Sequence, residues 1–266
     1  MDQELKFIQV GELAKGISEF VLPDSDDLIG QTLRLFFDDG SAVRIKFNSV
    51  HKLFWEELDA DGRHSCGTEI YRATSPREGI YLLDYILKDR HATTVSLVLD
   101  FNLNIATAVI GTLPSETQTL KDPFTRVREG LELTCVTARF LRATIERPFE
   151  VSDSAHATTL ELVGRRIKYT YSRTEAYEHI YLNDKLYTWH CLKGIEKGLA
   201  DTDRCHYYKI AASLYLFVWR EKIIPTLGLV LVDLDRLKTT GKLFGYAGED
   251  FGRLVNAPIG AHAQIL

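Results

Sequence analysis

From Leu28 onward the chain alternates. Thr32-Leu33-Arg34-Leu35-Phe36-Phe37 is strand-like, Asp38-Asp39-Gly40-Ser41 interrupts it, and Ala42-Val43-Arg44-Ile45-Lys46-Phe47 resumes the pattern. A period of two belongs to a strand with one face buried. The Asp-Gly step supplies the positive φ that a tight hairpin turn demands, so this stretch is predicted as a β-hairpin. Val50 to Glu57, Gly79 to Leu87, Val95 to Phe101 and Ile105 to Gly111 are predicted as further strands. Ahead of them, Glu12 to Phe20 has a weak helical period and residues 23–27 form a loop. Residues 112–161 start as a loop around Pro114 and Pro123. They continue as the apolar stretch Leu131 to Ile145, read as a long strand tied to one half of the chain or bridging both. Gly245 to Leu266, rich in Gly, Pro and Ala, is expected to pack as an irregular arm.

The pattern repeats. A constant offset of 134 maps Leu28 to Leu162, Gly30 to Gly164, Trp55 to Trp189, Tyr81 to Tyr215 and Tyr85 to Trp219. The same offset carries Leu97 to Leu231 and Gly111 to Gly245, across about 84 residues. Glycines, aromatics and strand patterns aligned at one offset point to internal duplication. Each half is then a run of short antiparallel strands that closes most economically as a small barrel, because closure leaves no sheet edge. The expected architecture is mainly β, two tandem antiparallel β-barrels, with a first domain over residues 1–120 and a second over 121–266.

Composition narrows the function. A formal charge of −5 and a pI near 5.9, with no dense Lys/Arg block, argue against nucleic acid as a partner. The N-terminus lacks the basic and apolar regions of a signal peptide. The longest apolar run, Ile210 to Trp219, is about half of what a bilayer span needs. Four scattered cysteines read as reduced thiols, so the expected setting is the cytoplasm, with no membrane partner. A homodimer is compatible with the sequence. The eight histidines show no HxH or HExxH spacing, and there is no Walker loop, GxGxxG or GxSxG. No metal and no cofactor is therefore expected.

Two resemblances arise. Ile29-Gly30, Phe37-Asp38-Asp39-Gly40-Ser41, Gly79-Ile80-Tyr81-Leu82-Leu83-Asp84, Gly241-Lys242-Leu243-Phe244-Gly245 and Val255-Asn256-Ala257-Pro258-Ile259-Gly260-Ala261 make the whole chain resemble the MoaF family, which pairs an N-terminal with a C-terminal β domain. The second half alone, through Gly164, Tyr169-Thr170-Tyr171, Tyr177-Glu178, Asn183-Asp184, Gly194 and Trp219, resembles the phenolic acid decarboxylases. Those are single lipocalin-like (calycin-like) barrels that need no cofactor. That resemblance implies that Tyr169 and Tyr171 grip a substrate carboxylate. The family's carboxylate-binding arginine falls at His190, and its acid/base glutamate falls near Arg204 or Cys205.

Candidate chemistry follows from spacing. Tyr169 and Tyr171 are two apart, so on a strand they share a face and could offer two phenols to one ligand oxygen. His190 and Glu56 each follow a repeated tryptophan, and in a dry pocket either could act as general acid or base. Tyr81 with Tyr85, and Tyr215 with Trp219, are four apart on strands and could wall a cavity, as could Trp189 and Tyr208; ordinary core filling is the better reading of the paired aromatics and of Tyr208. The expected function is binding of a small apolar or aromatic molecule in a barrel, with cofactor-independent conversion of lyase, isomerase or cyclase type. The alternatives are a non-catalytic carrier or sensor of such a molecule and, more weakly, a scaffold for a partner protein.

Overall fold

The computed structural model describes residues 6–150 and 156–266. Eight antiparallel strands form the first barrel: β1 (Thr32–Phe37), β2 (Ala42–Ser49), β3 (Lys52–Leu58), β4 (His64–Arg77), β5 (Ile80–Leu87), β6 (Thr93–Asp100), β7 (Ile105–Thr112) and β8 (Thr137–Ile145). Each pairs with the next, and β8 returns to β1 to close the ring, with Phe36 opposite Thr144. The predicted hairpin is β1–β2, with Gly40 at φ 88° in its turn. Alternation sorts the strands: Leu53 and Trp55 of β3 are buried among Leu35, Ile45, Phe47 and Leu97, while Glu56 points out to Arg44.

The second barrel repeats this plan with β10 (Arg166–Thr170), β11 (Ala176–Tyr181), β12 (Leu186–Lys193), β13 (Ala200–Ala211), β14 (Leu214–Arg220), β15 (Thr226–Asp233), β16 (Lys238–Tyr246) and β17 (Leu254–Ile265). The β10–β17 and β12–β13 pairings close it, and a two-residue strand, β9 (Ala157–Thr158), adds to β13. The expected irregular C-terminal arm is therefore largely strand. β17 pairs with both β16 and β10, and its small residues pass close neighbours: a Cβ on Gly260 would lie 2.5 Å from the Phe20 carbonyl.

Two compact units emerge, and they exchange segments across the expected cut at residue 120. One holds Leu22–Thr112 with residues 138–150 and 156–157; the other holds residues 6–21, 113–137 and 158–266. The predicted strand Leu131 to Ile145 divides accordingly. Residues 131–136 are irregular, and β8 belongs to the first barrel although it follows residue 120. The early helix is one turn, α1 (Val10–Leu13), and it sits on the second barrel against β16 and β17. A Cβ on Gly245 would come within 2.3 Å of the Val10 side chain, so the seat for α1 requires a glycine. Two further short helices, α2 (Glu116–Thr119) and α3 (Pro123–Arg128), lie in the 113–137 segment. That segment is pinned by a bidentate pair from Arg220 to Glu132 at 2.7 and 3.2 Å, joined by Arg204 at 3.1 Å.

The duplication is visible in register, with one amendment. Trp55 faces Gly67 and Trp189 faces Asp201, both at offset 134. Tyr85 faces Val95 while Trp219 faces Gly228, so the offset becomes 133 from β6 and β15 onward. Asp100 and Asp233 mark the new phase, each accepting two backbone N–H groups from the turn it opens. The Leu97–Leu231 and Gly111–Gly245 matches are thus slipped by one residue. Leu97 corresponds to Val230, which shares its inward face, and Gly111 corresponds to Phe244.

Candidate functional site

At offset 134 the second barrel carries rings at Tyr177, His179, Tyr187 and Phe217 where the first carries Val43, Ile45, Leu53 and Leu83. In β11 the inward set is Tyr177, His179 and Tyr181; in β12 it is Tyr187, Trp189 and Cys191; in β14 it is Tyr215, Phe217 and Trp219. Phe217 stacks on Trp219 with centroids 5.2 Å apart, and Tyr187 meets Phe217 edge-on at 4.9 Å. Trp219 lies across Gly228 on the neighbouring strand, where a Cβ would fall 2.0 Å from the indole. These rings surround a small, partly open cavity of about 50 Å³. Tyr171, Tyr177, Tyr187, Trp189 and Trp219 form its aromatic wall. Ile8, Val10, Leu13 and Ile17 of the N-terminal segment line it too, as an apolar cap.

Ionisable groups reach this space. Glu221, two residues past Trp219 and so on the same side, lines the cavity and accepts a hydrogen bond from Trp219 Nε1 at 2.9 Å. Burial, reinforced by the charge of Asp203, raises its pKa well above the ordinary carboxyl value. Asp203 accepts from Trp189 Nε1 at 3.0 Å and from the Lys222 backbone at 3.1 Å. Burial pushes Asp203 up to about 6 against the pull of Lys222. Glu196 also lines the cavity. It accepts the Tyr177 hydroxyl at 3.0 Å and the Ile8 backbone N–H at 3.0 Å, so it ties the cap to the wall, and burial raises its pKa. His179 stands within 4.8 Å of the Tyr169 ring and 5.2 Å of the Tyr187 ring, and its Nδ1 is buried without a hydrogen-bond partner. Burial alone brings its pKa down to about 3, so it is neutral across the physiological range.

The residues predicted from sequence are distributed unevenly about this cavity. Tyr171, Trp189 and Trp219 line it. Tyr169 is buried and does not line it; its hydroxyl is 2.6 Å from that of Tyr181. His190 lies on the outer face: its side chain is 41% exposed and its Nδ1 is 3.8 Å from Glu178, which Arg166 also binds. The cause is strand parity, since Trp189 and Cys191 point inward and the residue between them must point out. Glu56 is outward for the same reason and pairs with Arg44. Tyr208 takes the opposite face from buried Tyr207, and Tyr215 turns its hydroxyl to Glu161 at 2.7 Å. In the first barrel Tyr81 bonds Asp27 at 3.0 Å, and Tyr85 lines a separate, mostly aliphatic cavity beside Trp55, Leu87 and the Arg90–Glu57 pair.

Among the described residues no cluster of His, Cys, Asp and Glu is arranged to hold a metal ion, and no helix is long and apolar enough to cross a membrane.

The two-domain pattern has a counterpart in known proteins. The profile of the MoaF N-terminal domain matches residues 5–115, and that of the MoaF C-terminal domain matches residues 156–266. The chain belongs to the MoaF family. It is similar to Protein MoaF of Klebsiella aerogenes, at 41% identity over 272 residues that cover 100% of this chain and 97% of the relative. A crystal structure from Burkholderia vietnamiensis covers 40% of this chain and 95% of its own at 10% identity, with a TM-score of 0.34, too low a likeness to carry an argument. In terms of these matches, the walls of the aromatic, acid-lined cavity come from the C-terminal domain and its cap, Ile8 to Ile17, from the N-terminal one.

Proposed function

We propose that the second barrel binds a small, largely apolar molecule in the cavity under α1 and converts it by proton transfer without a cofactor. The observation that carries this reading is the convergence of Glu221, Glu196 and a neutral His179 on one aromatic-walled space. Storage alone needs an apolar hollow and one orienting hydrogen bond, whereas acid–base work needs several titratable groups near one point. A carboxyl that keeps its proton near neutral pH is a competent general acid. Glu221 is placed to deliver a proton to the ligand, and the Asp203 carboxylate behind Trp189 favours its return. Protonation at one atom and deprotonation at another gives an isomerase or cyclase; protonation followed by loss of a leaving group gives a lyase. The aromatic walls would hold one reactive conformer and exclude water.

The grip on a substrate carboxylate implied by the decarboxylase resemblance is not supported. The cavity-lining residues include two glutamates and neither arginine nor lysine. The alternative, a carrier or sensor, keeps the same cavity and assigns its carboxyls only to orientation.

The test is a titration of small aromatic and terpenoid-like compounds against wild type and Glu221→Gln, followed by tryptophan fluorescence, with product analysis for every binder. Binding by both proteins with turnover only in the wild type is the expected result. Binding without turnover of any ligand in the panel would favour the carrier, and absence of binding across the panel would count against the cavity as the site.

A further inference from the structure

We infer that the ligand of the second-barrel cavity is a small aromatic amine bound as its ammonium ion. The inference rests on that cavity being the ligand site, and it goes beyond that reading in assigning the ligand a charge.

The cavity is lined by acids that lack a counter-charge, and an ammonium ion would supply the charge that lets one of them ionise. Glu196 and Glu221 line it, and no lysine or arginine does. Lys222, next in the chain to Glu221, is already engaged: it is held by Asp201 and by the Thr202 carbonyl, and lies 3.5 Å from Asp203. His179, the one basic ring in the wall, is buried among aromatic faces and stays neutral. Neither glutamate has a cationic partner. Their hydrogen bonds come from an indole, a phenol and a backbone amide, all neutral donors. A buried carboxylate is stabilised far better by an opposite charge than by neutral donors alone.

The walls point to the same ligand chemistry. The aromatic rings of Tyr171, Tyr187 and Trp219 around the hollow favour an organic cation through cation–π contacts. They offer offset and edge contacts to an aromatic body. An anionic ligand would meet two carboxyls with no counter-charge. A neutral one would gain the apolar contacts and leave the carboxyls without a cation.

The experiment uses the full chain and three isosteric series: phenylalkylammonium ions with tethers of one to three methylenes, the matching phenylalkanols, and the matching phenylalkanoates. Binding is read by calorimetry and tryptophan fluorescence near pH 7.5. The ammonium ions are expected to bind at least tenfold tighter than the alcohols, with the carboxylates weakest. The Glu196→Gln/Glu221→Gln double variant should lose that preference while still binding the alcohols. Alcohols binding as tightly as the ammonium ions would overturn the inference and leave the cavity reading intact, and tightest binding by the carboxylates would do the same. No binding in any series would overturn both. The wild-type comparison does not depend on the double variant folding.

Discussion

The two barrels share a backbone plan and differ in what fills them. Position by position at offset 134, Leu35, Ile45, Leu53 and Leu87 of the first correspond to Tyr169, His179, Tyr187 and Glu221 of the second. Buried aliphatic side chains satisfy a core without partners. Buried phenols, imidazoles and carboxyls cost stability unless they are hydrogen-bonded. One device persists in both halves: Glu69 pairs with Lys88 as Asp203 pairs with Lys222, again at offset 134. The indole beside it has diverged. Trp189 Nε1 donates to Asp203, whereas the buried Trp55 Nε1 has no partner. The first barrel shares this scaffold but has a mostly aliphatic interior.

That contrast can be broken most severely at Glu221. Glu221→Gln keeps the size of the side chain and removes its proton; turnover of any substrate found is expected to fall at least ~100-fold, with binding of neutral ligands nearly unchanged. A loss confined to affinity would assign Glu221 to recognition instead. The tryptophans give the next largest difference. Trp189→Phe strips a buried carboxyl of a donor and should cost about 1–3 kcal/mol in denaturant unfolding. Trp55→Phe removes a donor that bonds nothing and should cost less, so equal costs would contradict the asymmetry.

Acid titration sharpens the comparison further. His179 titrates near 3 in the fold against 6.5 when free, so its contribution is complete above pH 6.5 and is lost as pH falls toward 3. Replacing it by the residue at the equivalent position, His179→Ile, should flatten the acid loss of stability across that window. Asp203 runs in the opposite direction. Raised from 3.8 to about 6, its contribution is complete below pH 3.8 and is lost as pH rises through 6. Asp203→Asn should therefore remove a decline between pH 4 and 6, and unfolding curves at several pH values separate the two. The smallest effects belong to the outer face. His190→Ala and Glu56→Ala should change stability by no more than about 0.5 kcal/mol and activity by less than about twofold. A large loss of activity in either would reinstate it as a site residue.

Much of this architecture was legible. Alternation located the β1–β2 hairpin and most first-barrel strands, and the glycine and tryptophan repeats revealed the duplication, because strand period and turn chemistry are local properties. The site was legible in part. Naming Trp189 as a wall fixes the parity of β12 and already excludes His190, and naming Trp219 places Glu221 on the same face two residues on. His179 and Tyr177 followed from the same alternation in β11 and were missed because that strand had not been phased. The one-residue step between offsets 134 and 133 came from a connection one residue shorter in the second barrel, which hydrophobic pattern alone does not register. The apolar cap was not legible, since Ile8, Val10 and Leu13 find their partners more than 150 residues away. Nor was the role of β17, whose Gly, Pro and Ala content imitates a loop while its small side chains admit close neighbours.

The exchange of segments between the units carries a consequence for how the chain is made. Synthesis runs from the N-terminus, and domains generally fold as units while the chain emerges. Here the first barrel cannot close until β8 has been translated, well after β7, and the α2–α3 excursion between them belongs to the other unit. Residues 6–21 wait longer still. Their seat does not exist until β16 and β17 have been translated. A segment made before the first barrel is thus placed only after β17, so cavity and cap are completed together.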